Sequence, residues 1–272
     1  MLETLSAMLS YGFLLRALIA GTLMALCAAL LGVSLVLRRT SMIGDGLSHV
    51  GFGALSVAMA VGVAPLLVAI PVVIAAAFLL LHVAARSRMG GDAAIALISS
   101  SALAIGVIAT SLSEGSNADL NGYLFGSILA VGPADLHLIL VLSATVLLLY
   151  MLCYHRIFAV TFDSDFARAT GVDANLYDTL LAVLTAVTIV TGMRMMGALL
   201  ISSLIIFPAL TAMRLCHSFR AVVIMAAMVA AVCFVSGMVA SYALSLPAGP
   251  SIVMANLTAF GLSSLVRAVR GA

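Results

Sequence analysis

The chain has 272 residues, of which 64% are hydrophobic and only 8% are charged. A soluble domain has about 25% charged residues, so this chain cannot cover a water-facing surface and needs lipid as its solvent. Its formal net charge is +2 and its basic residues are all arginine. Because no basic patch stands out, we exclude nucleic acid as a partner.

Charged residues separate the sequence into long apolar segments, each compatible with a membrane helix. Gly62 and Pro65 divide one long segment into two helices, and the sequence Pro-Ala-Gly-Pro at 247–250 divides another. Because a bilayer core of about 30 Å needs about 20 helical residues, we predict an all-α polytopic membrane protein with eight to nine transmembrane helices and a single domain at 1–272. The segments 179–193 and 251–266 are short enough to be half-helices or re-entrant pieces. The predicted spans are 17–37, two within 46–81, 93–113, 136–154, 179–193, 195–213 and two within 221–266.

The arginines predict the orientation, because cytoplasmic loops carry an excess of positive charge. Ten of the twelve basic residues lie at alternate boundaries between spans, which places the C-terminus and these boundaries in the cytoplasm. Glu114 and Asp119 then lie outside, where they either help to receive a cation or belong to an ordinary solvated loop. The ten are Arg38, Arg39, Arg86, Arg88, Arg156, Arg168, Arg214, Arg220, Arg267 and Arg270.

The most informative polar pair is Asp45 and His49, four residues apart at the start of the second span. On a helix this spacing puts both side chains on one face, where an oxygen and a nitrogen can share one metal ion at about 2.0–2.2 Å. The neighbouring small residues Gly44, Ser48 and Gly51 would allow another helix or a second copy of the chain to approach closely. Asp45 has a competing interpretation as a helix cap, and His49 as a hydrogen-bonding residue between helices.

Five sequence blocks, in this order, resemble the zinc/manganese-type permeases of bacterial ABC importers. The resemblance implies that Asp45 and His49 line the pathway of a transported divalent metal, with zinc expected first and manganese or iron(II) as alternatives. It also implies a location in the bacterial inner membrane, a permease homodimer, an ATP-binding ABC subunit, a periplasmic or lipid-anchored metal-binding protein, and no stably bound cofactor. The blocks are 44–49 (GDGLSH), 91–96 (GDAAIA), 123–130 (YLFGSILA), 162–171 (FDSDFARATG) and 197–209 (GALLISSLIIFPA).

The energy source is predicted to lie outside this chain. The sequence contains no lysine and so cannot form the P-loop that binds ATP. We therefore expect a permease without its own ATPase site. Force from an ATPase would enter at 208–220, where Pro208 is expected to break a span beside Arg214 and Arg220. The segment 162–173, which ends near a helix-terminating Gly171, is the alternative entry point.

A proton-coupled secondary zinc carrier is the competing class of protein. It would also use an Asp–His pair, but such carriers need further acidic or histidine ligands in other spans, and none stands out. ATP-dependent transport separates the two hypotheses.

Overall fold

A computed structural model describes residues 11–86, 91–112, 126 and 133–270, and every element in these ranges is helical. In chain order the helices are α1 (Gly12–Leu37), α2 (Met42–Ala60), α3 (Pro65–Arg86), α4 (Gly91–Leu112), α5 (Pro133–Leu152), α6 (Tyr154–Phe162), α7 (Ser164–Ala169), α8 (Ala174–Met196), α9 (Ala198–Leu215), α10 (Phe219–Leu244) and α11 (Ala248–Arg270). Helix α1 packs against α5, α8, α9 and α10, and helix α2 packs against α3 and α4.

The helix boundaries follow the expected local chemistry. Gly62, which has a φ of +73°, separates α2 from α3, and Pro65 is the first residue of α3. The Asp163 side chain accepts hydrogen bonds from the backbone amides of Asp165 and Phe166 and so caps α7. Asp173 caps α8 in the same manner. The division predicted at 62–65 is therefore confirmed, and the one predicted at 247–250 is present at 245–247, between Leu244 of α10 and Ala248 of α11.

The described residues contain fewer candidate membrane crossings than the sequence predicts. Among the described residues, six helices are long and apolar enough to cross a membrane, or seven if α5 and α6, which meet at a 69° bend, form one broken span. The predicted count of eight to nine is not confirmed. The segments expected to be short lie instead in helices of 23 residues each, α8 and α11. The residues that bounded them in the sequence, Asp178 and Arg194 for the first and Pro250 and Arg267 for the second, lie within these helices.

The predicted break at Pro208 is wrong. Pro208 is buried inside α9, which continues from Ala198 to Leu215. A proline removes one helical hydrogen bond, but membrane helices tolerate that loss where neighbouring helices surround the freed carbonyl. The breaks on either side of α9 are the connector at 216–218 and Gly197, a single residue with a φ of +84° that separates α8 from α9.

The joint at Gly197 is covered by the backbone of Gly126. A Cβ atom at position 126 would lie 2.1 Å from the carbonyl carbon of Met196 and 2.5 Å from the amide nitrogen of Gly197. Gly126 also has a positive φ, of +75°. Only glycine satisfies both the backbone angle and the available space.

Candidate metal-ion pathway and predicted ATPase surface

The structure brings Asp45 and His49 together on one face of α2, as the spacing predicts. The Nε2 atom of His49 lies 3.5 Å from Oδ2 of Asp45, and 19% and 38% of the two side chains are exposed, respectively. The other ring nitrogen of His49, Nδ1, is buried and has no hydrogen-bond partner. The pair is therefore partly exposed, and one of its nitrogen atoms has no hydrogen-bond partner that would compete with a ligand.

The distance between the two groups suits one shared metal ion. Two ligand atoms at about 2.1 Å from a tetrahedral ion lie about 3.4 Å apart, close to the observed 3.5 Å. Among the described residues, no group of three or more His, Cys, Asp or Glu side chains could hold a metal. The pair therefore supplies at most two strong ligands from one chain.

Helix α9 adds hydroxyl groups beside the pair. The Ser48 and Ser202 hydroxyls are 3.3 Å apart, and the Ser48 hydroxyl also donates to the backbone carbonyl of Asp45 at 2.7 Å. Ser202 also lies near the Asp45 carboxylate, and its hydroxyl donates to the Ala198 carbonyl of its own helix at 3.1 Å. Ser202 was not predicted from the sequence as a site residue, because its proximity to Asp45 depends on how α9 packs against α2.

The strip of small residues on α2 is occupied by helices of the same chain. A Cβ atom at Gly44 would lie 3.2 Å from Ile205 of α9, and one at Gly51 would lie 2.8 Å from Met193 of α8. Of the two partners predicted for this strip, another helix or a second copy of the chain, the structure shows helices of the same chain. A second copy of the chain would have to approach the exposed side of Asp45 instead.

The helix-cap interpretation of Asp45 finds little support in the structure. Ser41, not Asp45, is the residue that precedes the first helical position of α2. The Asp45 carboxylate instead interacts with His49 and Ser202. Its position in the first turn still matches the helix dipole.

The three predicted coupling residues have different surroundings. Pro208 is buried in α9. Arg214 donates a hydrogen bond to Ser264 of α11, and its guanidinium carbon lies 4.1 Å from the ring centre of Phe260. Arg220 is exposed. Of the three, Arg220 is therefore the residue best placed to meet another protein.

The two segments predicted as alternative coupling sites form one surface. Phe219, which precedes Arg220, packs against Tyr154, Phe158 and Phe162 of α6 with ring centres 5.1–5.9 Å apart. Phe166 belongs to α7, which packs against α6. We call the residues Tyr154, Phe158, Phe162, Phe166, Phe219 and Arg220 the aromatic surface. Within it, 59% of Phe162 and 64% of Phe166 are exposed.

An ion pair that the sequence did not predict lies close to this surface. The Arg38 guanidinium donates to Oδ1 of Asp178 at 2.5 Å and to the carbonyl oxygen of Val160 at 2.8 Å. The sequence marked Arg38 only as a topology signal and gave no sign of its partners, which are 140 and 122 residues away. Glu114 and Asp119, predicted on the outer side, lie outside the described residues.

Comparison with known proteins identifies the family. Residues 10–267 match the ABC 3 transport family. The manganese import system permease protein ScaB of Streptococcus parasanguinis is 30% identical over 264 residues, which cover 97% of this chain and 94% of ScaB. The manganese transport system membrane protein MntC of Halalkalibacterium halodurans is 29% identical over 256 residues, covering 94% and 88% of the two chains.

A solved structure has the same fold. The structure of PsaBC from Streptococcus pneumoniae in complex with Fab contains a chain that superposes with a TM-score of 0.86 at 31% identity, covering 96% of this chain and 94% of that one. These matches, with the apolar helices described above, agree with the family resemblance in the sequence. The chain belongs to the ABC 3 transport family and is a multi-pass membrane permease of the metal-importing ABC type.

Proposed function

We propose that this chain forms the membrane pathway of an importer for a divalent transition metal, with manganese as its main substrate. The observation that carries the proposal is the Asp45–His49 pair, whose separation of 3.5 Å suits one shared ion. Ionisable residues in a membrane protein are costly to bury and mark transport pathways by default. The pair contacts the ion in transit rather than storing it, because a transported ion must leave as readily as it enters.

Manganese replaces zinc as the favoured substrate. The relatives ScaB and MntC are both named for manganese, whereas the expectation of zinc came from the sequence resemblance alone. Carboxylate and hydroxyl oxygens suit manganese, and the hydroxyls of Ser48 and Ser202 lie beside the carboxylate of Asp45. Intrinsic affinity does not select the metal, so the choice is tested ion by ion.

Two copies of the chain complete the ion's surroundings. One chain offers one carboxylate and one imidazole, whereas a homodimer around the exposed side of Asp45 would offer two of each. Metal ions in protein sites commonly take four or more ligands. An external metal-binding protein, periplasmic or lipid-anchored, delivers the ion to this pathway.

A separate ATP-binding subunit supplies the energy and docks on the aromatic surface. This end of the chain combines exposed Phe162 and Phe166 with the exposed cation Arg220. Aromatic and arginine side chains are the residues that most often dominate protein–protein binding. Arg214 is not part of this contact, since it already binds α11.

The main experiment is uptake by proteoliposomes that contain the chain and its ATPase partner. We expect ATP-driven uptake of manganese that exceeds the uptake of zinc and iron(II), each offered separately. Zinc uptake above manganese uptake would contradict the metal assignment. Uphill uptake by the chain alone, driven by a proton gradient, would establish the secondary carrier instead.

A second experiment tests the docking surface. Phe162→Ala and Arg220→Glu should each weaken ATPase binding by about tenfold or more, the loss expected of an interface hot spot. Arg214→Glu is the matched control, because it reverses a charge in the same segment but outside the surface. Binding measured in detergent should be changed little by Arg214→Glu, although its thermal stability should fall. An equal loss of ATPase binding in Arg214→Glu and Arg220→Glu would indicate that the ATPase contacts the region near α11.

A further inference from the structure

The connector between α1 and α2 precedes the helix that carries the metal pair, and a few hydrogen bonds hold its shape. It spans residues 38–41, between Leu37 and Met42. The amide and the hydroxyl of Thr40 both donate to the Leu35 carbonyl, at 2.9 and 3.2 Å, and the amide of Ile43 donates to the Thr40 carbonyl at 3.0 Å. These bonds make the connector a stiff corner, so a displacement of its first residue also moves the start of α2.

That first residue, Arg38, holds two other helices. Its guanidinium bonds Asp178 in α8 and the backbone carbonyl of Val160 in α6, and only 17% of its side chain is exposed. An arginine presents several donors in a rigid fork, so one side chain fixes three elements at once. We call this set of contacts, Arg38 with Asp178 and Val160, the Arg38 bridge.

The bridge lies between the two functional parts of the molecule. Val160 belongs to the last turns of α6, the same short helix that carries Phe158 and Phe162 of the aromatic surface. Asp45 follows Arg38 by seven residues, across the stiff corner. Arg38 and the connector therefore form a short chain of contacts from α6 to the start of α2, at the C-terminal end of α1.

We propose that Arg38 is a positioning residue that couples movement of α6, produced by the ATPase, to the position of the Asp45–His49 pair. The inference rests on the proposed function, because it needs an ATPase at the aromatic surface. In it, Arg38 touches no metal ion and acts only through Val160, Asp178 and the connector.

The chain contains a matched control for this role. Arg156 of α6 donates a hydrogen bond to the Tyr177 hydroxyl of α8 at 2.5 Å and stacks near its ring. This contact also joins α6 to α8 through an arginine, but it does not include α1 or the connector. Loss of Arg156 therefore loosens α6 without cutting the route to α2.

The test compares the double variant Arg38→Gln/Asp178→Asn with Arg156→Gln, each reconstituted with the ATPase. The double substitution leaves no unpaired charge, so folding and assembly should survive. We expect the number of manganese ions transported per ATP hydrolysed to fall about tenfold in the double variant, within the range of known coupling mutations, and to change less than about twofold in Arg156→Gln. A merely structural ion pair would lower the amount of complex without changing this ratio.

Hydrogen exchange provides a second readout that does not depend on transport. In the parent complex, addition of a non-hydrolysable ATP analogue should change the exchange of backbone amides in 40–49. The double variant should lose this response and Arg156→Gln should keep it. If the double variant assembles poorly, Arg38→Lys, which keeps the charge but lacks the fork, should show a reduced response.

The outcomes separate the two proposals. A parent complex that does not take up manganese with ATP overturns the proposed function. A parent complex that transports, together with an unchanged transport ratio and an unchanged exchange response in the Arg38 variants, overturns only the role of Arg38. Equal losses of the transport ratio in the Arg38 and Arg156 variants also overturn it, because coupling would then not depend on the connector.

Discussion

Two of the acid–base pairs in the protein, Arg38–Asp178 and Asp45–His49, have opposite characters. In the first, the charged atoms are 2.5 Å apart and Val160 takes a further guanidinium donor. In the second, the closest atoms are 3.5 Å apart and a histidine nitrogen has no partner. A short, closed pair holds helices together, whereas a long, open pair leaves room for an ion between its groups.

The largest effect should come from removing the charge of the open pair. Asp45→Asn keeps the size of the side chain but removes the anionic ligand, so manganese uptake should fall by more than about a hundredfold. A residue that only supports a metal ligand typically costs about 10- to 100-fold when it is mutated, so loss of a ligand itself should cost more. Uptake into proteoliposomes measures this. The amount of assembled complex and its thermal midpoint serve as controls and should stay unchanged. Normal uptake by this variant would mean that Asp45 is not a metal ligand.

Removing one partner of the closed pair, Arg38–Asp178, should lower the thermal stability of the protein. Asp178→Ala removes the acceptor of a charge-assisted hydrogen bond and leaves Arg38 with an unpaired charge, which should cost about 2 kcal/mol of folding free energy. For a chain of this size that corresponds to a thermal midpoint lower by roughly 4–8 °C. Asp178→Asn should cost less, because it keeps a polar partner. A midpoint that does not change in either variant would show that the pair does not hold the helices together.

Manganese itself distinguishes the two pairs. A ligand present at about ten times its dissociation constant stabilises the folded state by about 1.4 kcal/mol, so manganese should raise the thermal midpoint of the unmutated chain by a few degrees. Asp45→Asn should abolish this shift, and Asp178→Asn should keep it. A shift that survives in Asp45→Asn would indicate another binding site.

The smallest effect should come from the hydroxyl beside the open pair. Ser202→Ala removes one neutral hydrogen-bonding group near Asp45, a change of about 1 kcal/mol. We expect the manganese concentration at half-maximal uptake to rise about fivefold while the maximal rate stays nearly constant. Ser203→Ala is the control, since the hydroxyls of Ser202 and Ser203 each bond a carbonyl of their own helix, whereas Ser202 also lies 3.3 Å from the Ser48 hydroxyl. Equal effects would mean that Ser202 acts through the helix alone.

Local sequence patterns predicted local features well. The all-helical fold, the turns at Gly62–Pro65 and near Pro247, and the shared face of Asp45 and His49 depend on residues close together in the chain. Each is specified by helix periodicity or by turn chemistry. The family resemblance correctly added the class of transporter.

The features that sequence reasoning missed depend on packing between distant segments. Charge boundaries predicted more crossings than the described residues confirm. Pro208 was predicted to break a helix because the effect of neighbouring helices on a proline cannot be read from its own segment. The partners of Arg38 and Arg214 are separated from them by 50–140 residues. The same limit hid Ser202, and it also concealed that the two candidate coupling segments form one aromatic surface.

The contact between Gly126 and the Gly197 joint has a genetic consequence. Every single-nucleotide change that replaces glycine adds at least a Cβ atom, and at position 126 that atom would overlap the backbone of Met196. At Gly197 the φ of +84° disfavours any other residue. Both codons should therefore tolerate only silent substitutions in a saturation library, even though neither glycine touches the metal pair or the aromatic surface.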